Sequence, residues 1–305
     1  MSEVLNHKVN FSVIVGVRNA NPNGDPNDEG RPRVNGEGYG EISDVSVKRK
    51  IRNRWQDTGK PILVKAVDRS DDEYLSIRDR FLSNDNVAEL LTDIRNSGKK
   101  SSDKVLHTDA QKRELRAIAC ANWLDVRAFG ALLPFKESVK DGLESASTGI
   151  RGPVSINIGE TIQPVEMKDM AITKSTNFES EEKKGSDTMG NKSMIGFAVY
   201  RIDGAISPQQ AEQTGFTDED AESLKMALKT LFVDDASASR PDGSMEVLAL
   251  IWAESKGKIS AIPAYQINDL IHVNQPESAR QFRDITIEVE PSPTPELIIT
   301  KYEGQ

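Results

Sequence analysis

A chain of 305 residues with 37% hydrophobic and 29% charged residues has the composition of a globular protein, long enough to bury a full core as one elaborated domain or two small ones. Its net charge of -9 argues against a protein that coats nucleic acid with its whole surface, and no apolar run approaches the ~18 residues that span a bilayer. The opening MSEVLNHKVNF lacks the apolar core and cleavage site of a signal peptide, and Cys120 is the only cysteine, so a cytoplasmic protein without disulfide, thiolate cluster or membrane contact is expected.

In chain order, KVNFSVIVGVR puts Val9, Phe11, Val13, Val15 and Val17 on one face at period two, which predicts a strand with one buried face. Its other face, Asn10, Ser12, Gly16 and Arg18, is small and polar apart from Ile14, leaving room for something to lie on it. Asn21 to Gly40 is rich in turn formers. Ser43 or Asp44 then caps a helix that stops at Gly59 with Pro61 beyond, and Val47, Ile51 and Trp55 make its core stripe. From Ser70 the pattern turns helical: SDDE offers a capping box with Tyr74, Ile77 and Phe81 on one side, and a second helix spans about Asp109 to Trp123, with NSGKKSSDK as a link between them. Strand signals return at VRAFGALLPF and GPVSINIG. EMKDMAITK and KSMIGFAVYRIDGAI read as two arms of a projecting hairpin around NFESEEKKGSDTMGN. Thr217 to Asp220 starts another helix, with Leu224, Ala227, Leu228, Leu231 and Phe232 inward, followed by the strand SMEVLALIWA. The C-terminal PSPTP reads as an extended linker, and the last strand as an edge strand.

The strong elements follow the order strand, helix, strand, strand, helix, strand. The fold class expected is therefore α+β, a ferredoxin-like or RNA-recognition-motif arrangement with a helical insertion, a hairpin insertion and one sheet face open to single-stranded nucleic acid.

The chemistry concentrates in Lys48, Arg49, Lys50, Arg52 and Arg54, five cations within seven positions. Lys48 and Arg52 flank the apolar stripe on one side, Lys50 and Arg54 on the other, while Arg49 points away from the core. An ordinary solvated helix face is the plain reading of such a run. Within the helix body, though, only Arg54 has a carboxylate at helical spacing, Asp57, and unrelieved like charges call for an external polyanion. Gly36, Gly38 and Gly40 ahead of the helix permit close backbone approach, the helix N-terminus offers free N–H groups, and Asn19, Asn21 and Asn23 add amides for phosphates, 2′-hydroxyls or base edges. GEGYG lacks the spacing of a dinucleotide-binding fingerprint, so an oligonucleotide backbone is the better ligand.

Catalytic patterns are poor: there is no GxSxG, HExxH or P-loop, and His7, His107 and His272 stand isolated. Asp25, Asp28 and Glu29 hold oxygens suited to Mg²⁺ but depart from calcium-loop spacing and sit where aspartate serves turns, so no cofactor or metal is expected. Met189 and Met194 flank Gly190 and Lys192 at the hairpin, where they would wedge between bases, pack on a neighbouring subunit, or fold back on their own core.

Taken together, NPNGDP, SDVSVKRKIRN, DVRAFG, RGPV, ITK, TMGNKS and YRIDGAIS, in that order over about residues 8–255, resemble the guide-RNA-binding backbone subunit of CRISPR Cascade complexes, the Cas seven family of the RAMP superfamily, most closely its type I-C group. The resemblance implies one palm-based domain over residues 1–305, with helical fingers at 60–125 and a thumb hairpin at 162–196. It implies a non-enzymatic protein that binds crRNA, stacks with copies of itself into a helical filament, and meets target DNA through the guide and the large, small and repeat-handle-binding subunits of Cascade. By motif, Arg18, Asn21, Asn23, Lys48, Arg49, Lys50 and Arg52 would hold the guide, and Lys174, Met189, Lys192 and Met194 would belong to the thumb. Asn191 stands where the family often has a further basic residue. Related type III subunits cleave RNA with an aspartate and a metal ion, which would assign Asp25 or Asp28 here.

Overall fold

The computed structural model describes residues 3–97, 109–134, 147–173 and 189–305. Strand β1 (Val9–Ala20) leads through β2 (Glu41–Ile42) into helix α1 (Asp44–Asp57), then α2 (Ile77–Leu82), α3 (Asp85–Ser97), α4 (Asp109–Asn122) and α5 (Leu124–Phe129). Next come β3 (Gly130–Pro134), β4 (Ser147–Arg151), β5 (Val154–Ile156), β6 (Gly159–Thr161), β7 (Met167–Thr173), β8 (Met189–Ile206), α6 (Pro208–Thr214) and α7 (Asp218–Lys229). The chain closes with β9 (Met245–Ser255), α8 (Ala264–Asp269), β10 (Ile271–Asn274), β11 (Thr286–Val289) and β12 (Leu297–Glu303).

The molecule is a mixed helix and sheet protein built on a central antiparallel sheet of strand order β12-β9-β1-β8-β6-β2, with β5 and β7 also paired to β8. The period-two valines of β1 meet α1 and α7 on one face: Val13, Val15 and Val17 share a buried cluster with Val47, Ile51 and Trp55 of α1 and Leu224 and Leu228 of α7. Trp55 Nε1 donates to the Ser223 carbonyl at 3.1 Å and so ties the two helices together. Ser43 caps α1 by accepting from Ser46 N, and Gly59 takes the left-handed φ of +73° just past its end. The capping box of Thr217 and Asp220 starts α7 as its sequence dictates.

The opposite sheet face is not open. Ile14, Val199, Ala249 and Ile251 are covered by the β10–β11 ribbon through Ile271, Val273, Ile287 and Val289. At Gly16 a Cβ would stand 2.6 Å from Phe282 Cδ1, so glycine there admits a ring from the C-terminal segment. The expectation of a bare face is thus corrected: the apolar residues that a one-face reading left unexplained are capped by the chain's own C-terminus. Beyond it β12 pairs with β9 at the sheet edge, as expected.

A second apolar cluster, Leu63, Phe81, Val87, Leu115, Ala119, Cys120, Trp123 and Val126, joins α2–α5, with Phe81 and Trp123 5.4 Å apart. Cys120 is buried, and burial pushes its thiol up to about 11. Two local expectations shift here. SDDE starts no helix: Ser70 and Asp72 instead hold Tyr74 and the buried Arg80, and the cap is Ser76 with Asp79, which leaves Ile77 exposed. VRAF is helical rather than strand, because Leu124 and Ala128, one turn apart, pack into the first cluster while Val126 on the other side of the helix packs into the second. NSGKKSSDK lies largely outside the described residues.

The two hairpin arms pair as expected, Met167–Thr173 against Met189–Ile195. At its base the alternation of both strands flips. Val17 and Ala20 both enter the core, as do Ile195 and Ala198, around Asn19 in the left-handed region (φ 51°) and Gly196 opposite.

Candidate nucleic-acid interface

Helix α1 presents few free charges. Lys48 Nζ pairs with Asp44 at 2.8 Å, Arg52 Nε with the fully buried Asp125 at 2.9 Å, and Arg54 with Asp57 at 3.0 Å. Lys50 is buried against Asp235, and its removal from water lowers its pKa even so. Arg49 donates to the Val64 carbonyl at 2.8 Å, and burial lowers its pKa too. The reading that most of these cations lack a carboxylate is therefore corrected. Asp44 lies one turn before Lys48, and the partners of Lys50 and Arg52 come from distant segments. Two basic rows act as stitches, one from α1 to the loop after α7, the other to α5.

Of the loop's glycines, Gly40 is likewise engaged internally, while a Cβ at Gly36 would meet nothing within 4 Å. A Cβ at Gly40 would stand 2.4 Å from the Tyr200 hydroxyl, so glycine there accommodates a core phenol rather than a ligand. Asn23 Oδ1 accepts from Ser43 N at 2.8 Å, and Ser43 with the first-turn Asp44 occupies the helix start expected to bind phosphate. Asp25 turns its carboxylate to Asn27 N at 3.0 Å and to Arg33 at 3.4 Å. No group of three or more His, Cys, Asp or Glu suited to a metal stands together among the described residues.

A cleft of about 520 Å³ instead opens where the β7–β8 hairpin leaves the sheet, lined by Asn21, Gly30, Arg31, Asp169, Lys192 and Ser193 among others. Asn21 is buried there, with Nδ2 donating to the Gly30 carbonyl at 2.7 Å and its backbone N to Ser239 O at 2.9 Å. Lys192 Nζ reaches the Ala238 carbonyl at 2.8 Å, and Lys168 Nζ reaches Asn19 Oδ1 at 3.4 Å. No carboxylate pairs with Lys168, Lys192 or the exposed Arg18 among the described residues. Arg31 does have one: Asp169 holds its guanidinium at 2.5 Å and accepts from Ser193 Oγ at the same distance.

The cleft gathers Asn21 and Lys192, with Arg18 and Lys168 at the adjoining strand ends, and leaves Lys48, Arg49, Lys50 and Arg52 on the helix behind. Met194 is buried rather than presented, while Met170 and Ile172 on β7 are about half exposed. Met189 pairs by its backbone with Thr173, and Lys174 lies outside the described residues. Lys168, Arg31 and Asp169 escaped the sequence reading. Their chemistry is ordinary in a strand arm or turn, and only pairing of β7 with β8 brings them together. The RPR at 31–33, basic inside an acidic loop, was the one local signal.

The profile of the family CRISPR-associated protein Cas7 matches residues 7–290. A protein of Haloferax volcanii (strain DS2), "CRISPR-associated protein Cas7", is 26% identical over 223 residues, 69% of this chain and 60% of that protein, so the match spans less than two thirds of that relative's length. Among solved structures, a chain of a "CRISPR RNA-guided surveillance complex, pre-nicking" superposes with a TM-score of 0.50 at 15% identity, over 81% of this chain and 78% of that one, a likeness of fold.

Proposed function

The chain belongs to the CRISPR-associated protein Cas7 family, and on that premise we propose that it is the backbone subunit of a CRISPR RNA-guided surveillance complex of the Cascade kind, type I-C. It acts in the cytoplasm, binds crRNA along its phosphate backbone without reading sequence, repeats along the guide as a helical filament, and leaves recognition of target DNA to base pairing. Its further partners are the large, small and repeat-handle-binding subunits. The strand order β9-β1-β8-β6 with α1 and α7 on one face supports a ferredoxin-like palm. The separate apolar cluster of α2–α5 supports fingers within residues 60–125, and the β7–β8 hairpin supports a thumb within 162–196.

The observation that carries the reading is the cleft at the hairpin base. In a protein of net charge -9, cations that meet no carboxylate among the described residues gather beside it, and such cations are what a polyphosphate chain neutralises. Arg18, Asn21, Lys168 and Lys192 are the contacts proposed first; of the helix, Lys48 is the cation best able to exchange its partner, since its carboxylate is local and half exposed.

The test is a gel-shift series of end-labelled single-stranded RNA carrying the CRISPR repeat, across salt, with and without Mg²⁺. Stepwise, salt-sensitive shifts of intact RNA are expected. RNA shortened only when Mg²⁺ is present would overturn the non-enzymatic reading and direct attention to Asp25 and Asp28.

A further inference from the structure

We propose that Arg18, Phe282 and Phe197 form a stacking platform for one unpaired base of single-stranded RNA. The inference rests on the guide-binding reading and adds a base contact to it, where that reading supplies only backbone contacts.

Arg18 and Phe197 face each other in register across β1 and β8, on the sheet face that the C-terminal segment covers. Phe282 arrives from that segment and settles into the space over Gly16. Its ring lies 6.0 Å from that of Phe197, 30° from parallel, and the Arg18 guanidinium lies over it at 5.8 Å from the centroid. Both rings are half-buried, Arg18 is exposed, and no carboxylate neutralises it among the described residues. A guanidinium laid over a ring keeps a second planar face, and aromatic rings and guanidinium planes are the surfaces on which unstacked RNA bases are received.

The platform is held before any ligand arrives. Asp284 accepts from the backbone N–H groups of Arg280 and Gln281, each at 2.9 Å, which fixes the turn that carries Phe282. Lys168, exposed and lying over Gly196 next to Phe197, and Arg283, exposed and next in sequence to Phe282, add positive charge for the flanking phosphates. Packing alone does not account for the arrangement. A leucine would close the space over Gly16 as well, and pinning down the C-terminal segment needs no exposed guanidinium.

Arg18→Lys separates stacking from charge, because lysine keeps the charge and offers no planar face. Phe282→Leu is the second variant, keeping the apolar cover without the ring. Both are compared with the wild-type chain on a short single-stranded RNA carrying 2-aminopurine at successive positions. In the wild type, emission is expected to be quenched at the platform position. Each variant is expected to bind about five- to thirtyfold more weakly and to restore that emission. For Arg18→Lys the salt dependence of binding stays the same, since the number of phosphates neutralised does not change. Unchanged affinity and emission in both variants, while Lys192→Ala still weakens binding, would overturn the platform and leave guide binding standing. A wild-type chain that binds no RNA at low salt would defeat guide binding itself, and the platform with it.

Discussion

Helix α1 and the base of the β7–β8 hairpin both gather cations, and put them to opposite ends. On the helix they are adjacent in sequence and already matched, Arg52 to a carboxylate 73 residues away and Lys50 to one 185 residues away. At the hairpin base they come from far apart, and while Arg31 is held by Asp169, Arg18, Lys168 and Lys192 meet no carboxylate among the described residues. A run of charge along a chain counts ions before their partners are subtracted. Only the fold performs the subtraction, and what remains is the charge available to a ligand.

The sharpest way to break this contrast is to remove a partner on the helix side. Asp125 is fully buried and accepts from Arg52 at 2.9 Å and from the backbone of Leu63 and Val64 at 2.9 and 3.1 Å. Asp125→Ala strands a cation and two N–H groups and is expected to cost about 3–5 kcal/mol in denaturant unfolding. A loss under about 1 kcal/mol would mean that these charges are not stitches.

On the hairpin side, Lys168→Ala and Lys192→Ala are each expected to leave the unfolding midpoint unchanged while lowering the salt slope of RNA binding by about one. A drop in stability without a change in slope would reverse the assignment.

The α2–α5 region adds a pH test. Arg80 grips both Asp72 oxygens, at 2.7 and 2.8 Å, and holds that carboxyl well below its ordinary value. A depressed carboxyl stabilises the fold above its unfolded pKa, and that contribution is lost as pH falls through the range below about 4. Asp72→Asn is expected to flatten acid unfolding in that window; a wild-type curve already flat there would show that the pair contributes nothing.

The smallest effect belongs to Lys48→Ala. Its pair with Asp44 is a local, part-buried i,i+4 contact worth under about 1 kcal/mol, so stability should barely move and any change will appear in RNA affinity.

Local signals carried much of the fold. The valines of β1, the stripe of Val47, Ile51 and Trp55, and the Thr217 cap each follow from neighbours within a few residues, and the structure repeats them. What sequence hid was non-local. The partners of α1 lie on α5 and after α7, the cover over Ile14 comes from residues 271–289, and the glycine at 40 answers to Tyr200. VRAF misled because its alternation suits either period, and packing on two clusters decided for helix. The candidate site suffered most: Asn21 and Lys192, named from sequence, line the cleft, but sequence placed the cations of α1 beside them and could not tell which cations the fold would leave unmatched.

The covering of the sheet by residues 271–303 also sets a timetable. Strands β1, β8 and β9 are complete once residue 255 has left the ribosome, yet Ile14, Val199 and Ile251 stay uncovered, and the outer edge of β9 unpaired, until some fifty further residues have followed. During that interval the nascent protein carries a sticky face and an open strand edge, the features through which chains of the same kind join wrongly when many are made at once. Residues 271–303 thus decide how long those surfaces stay open to other chains.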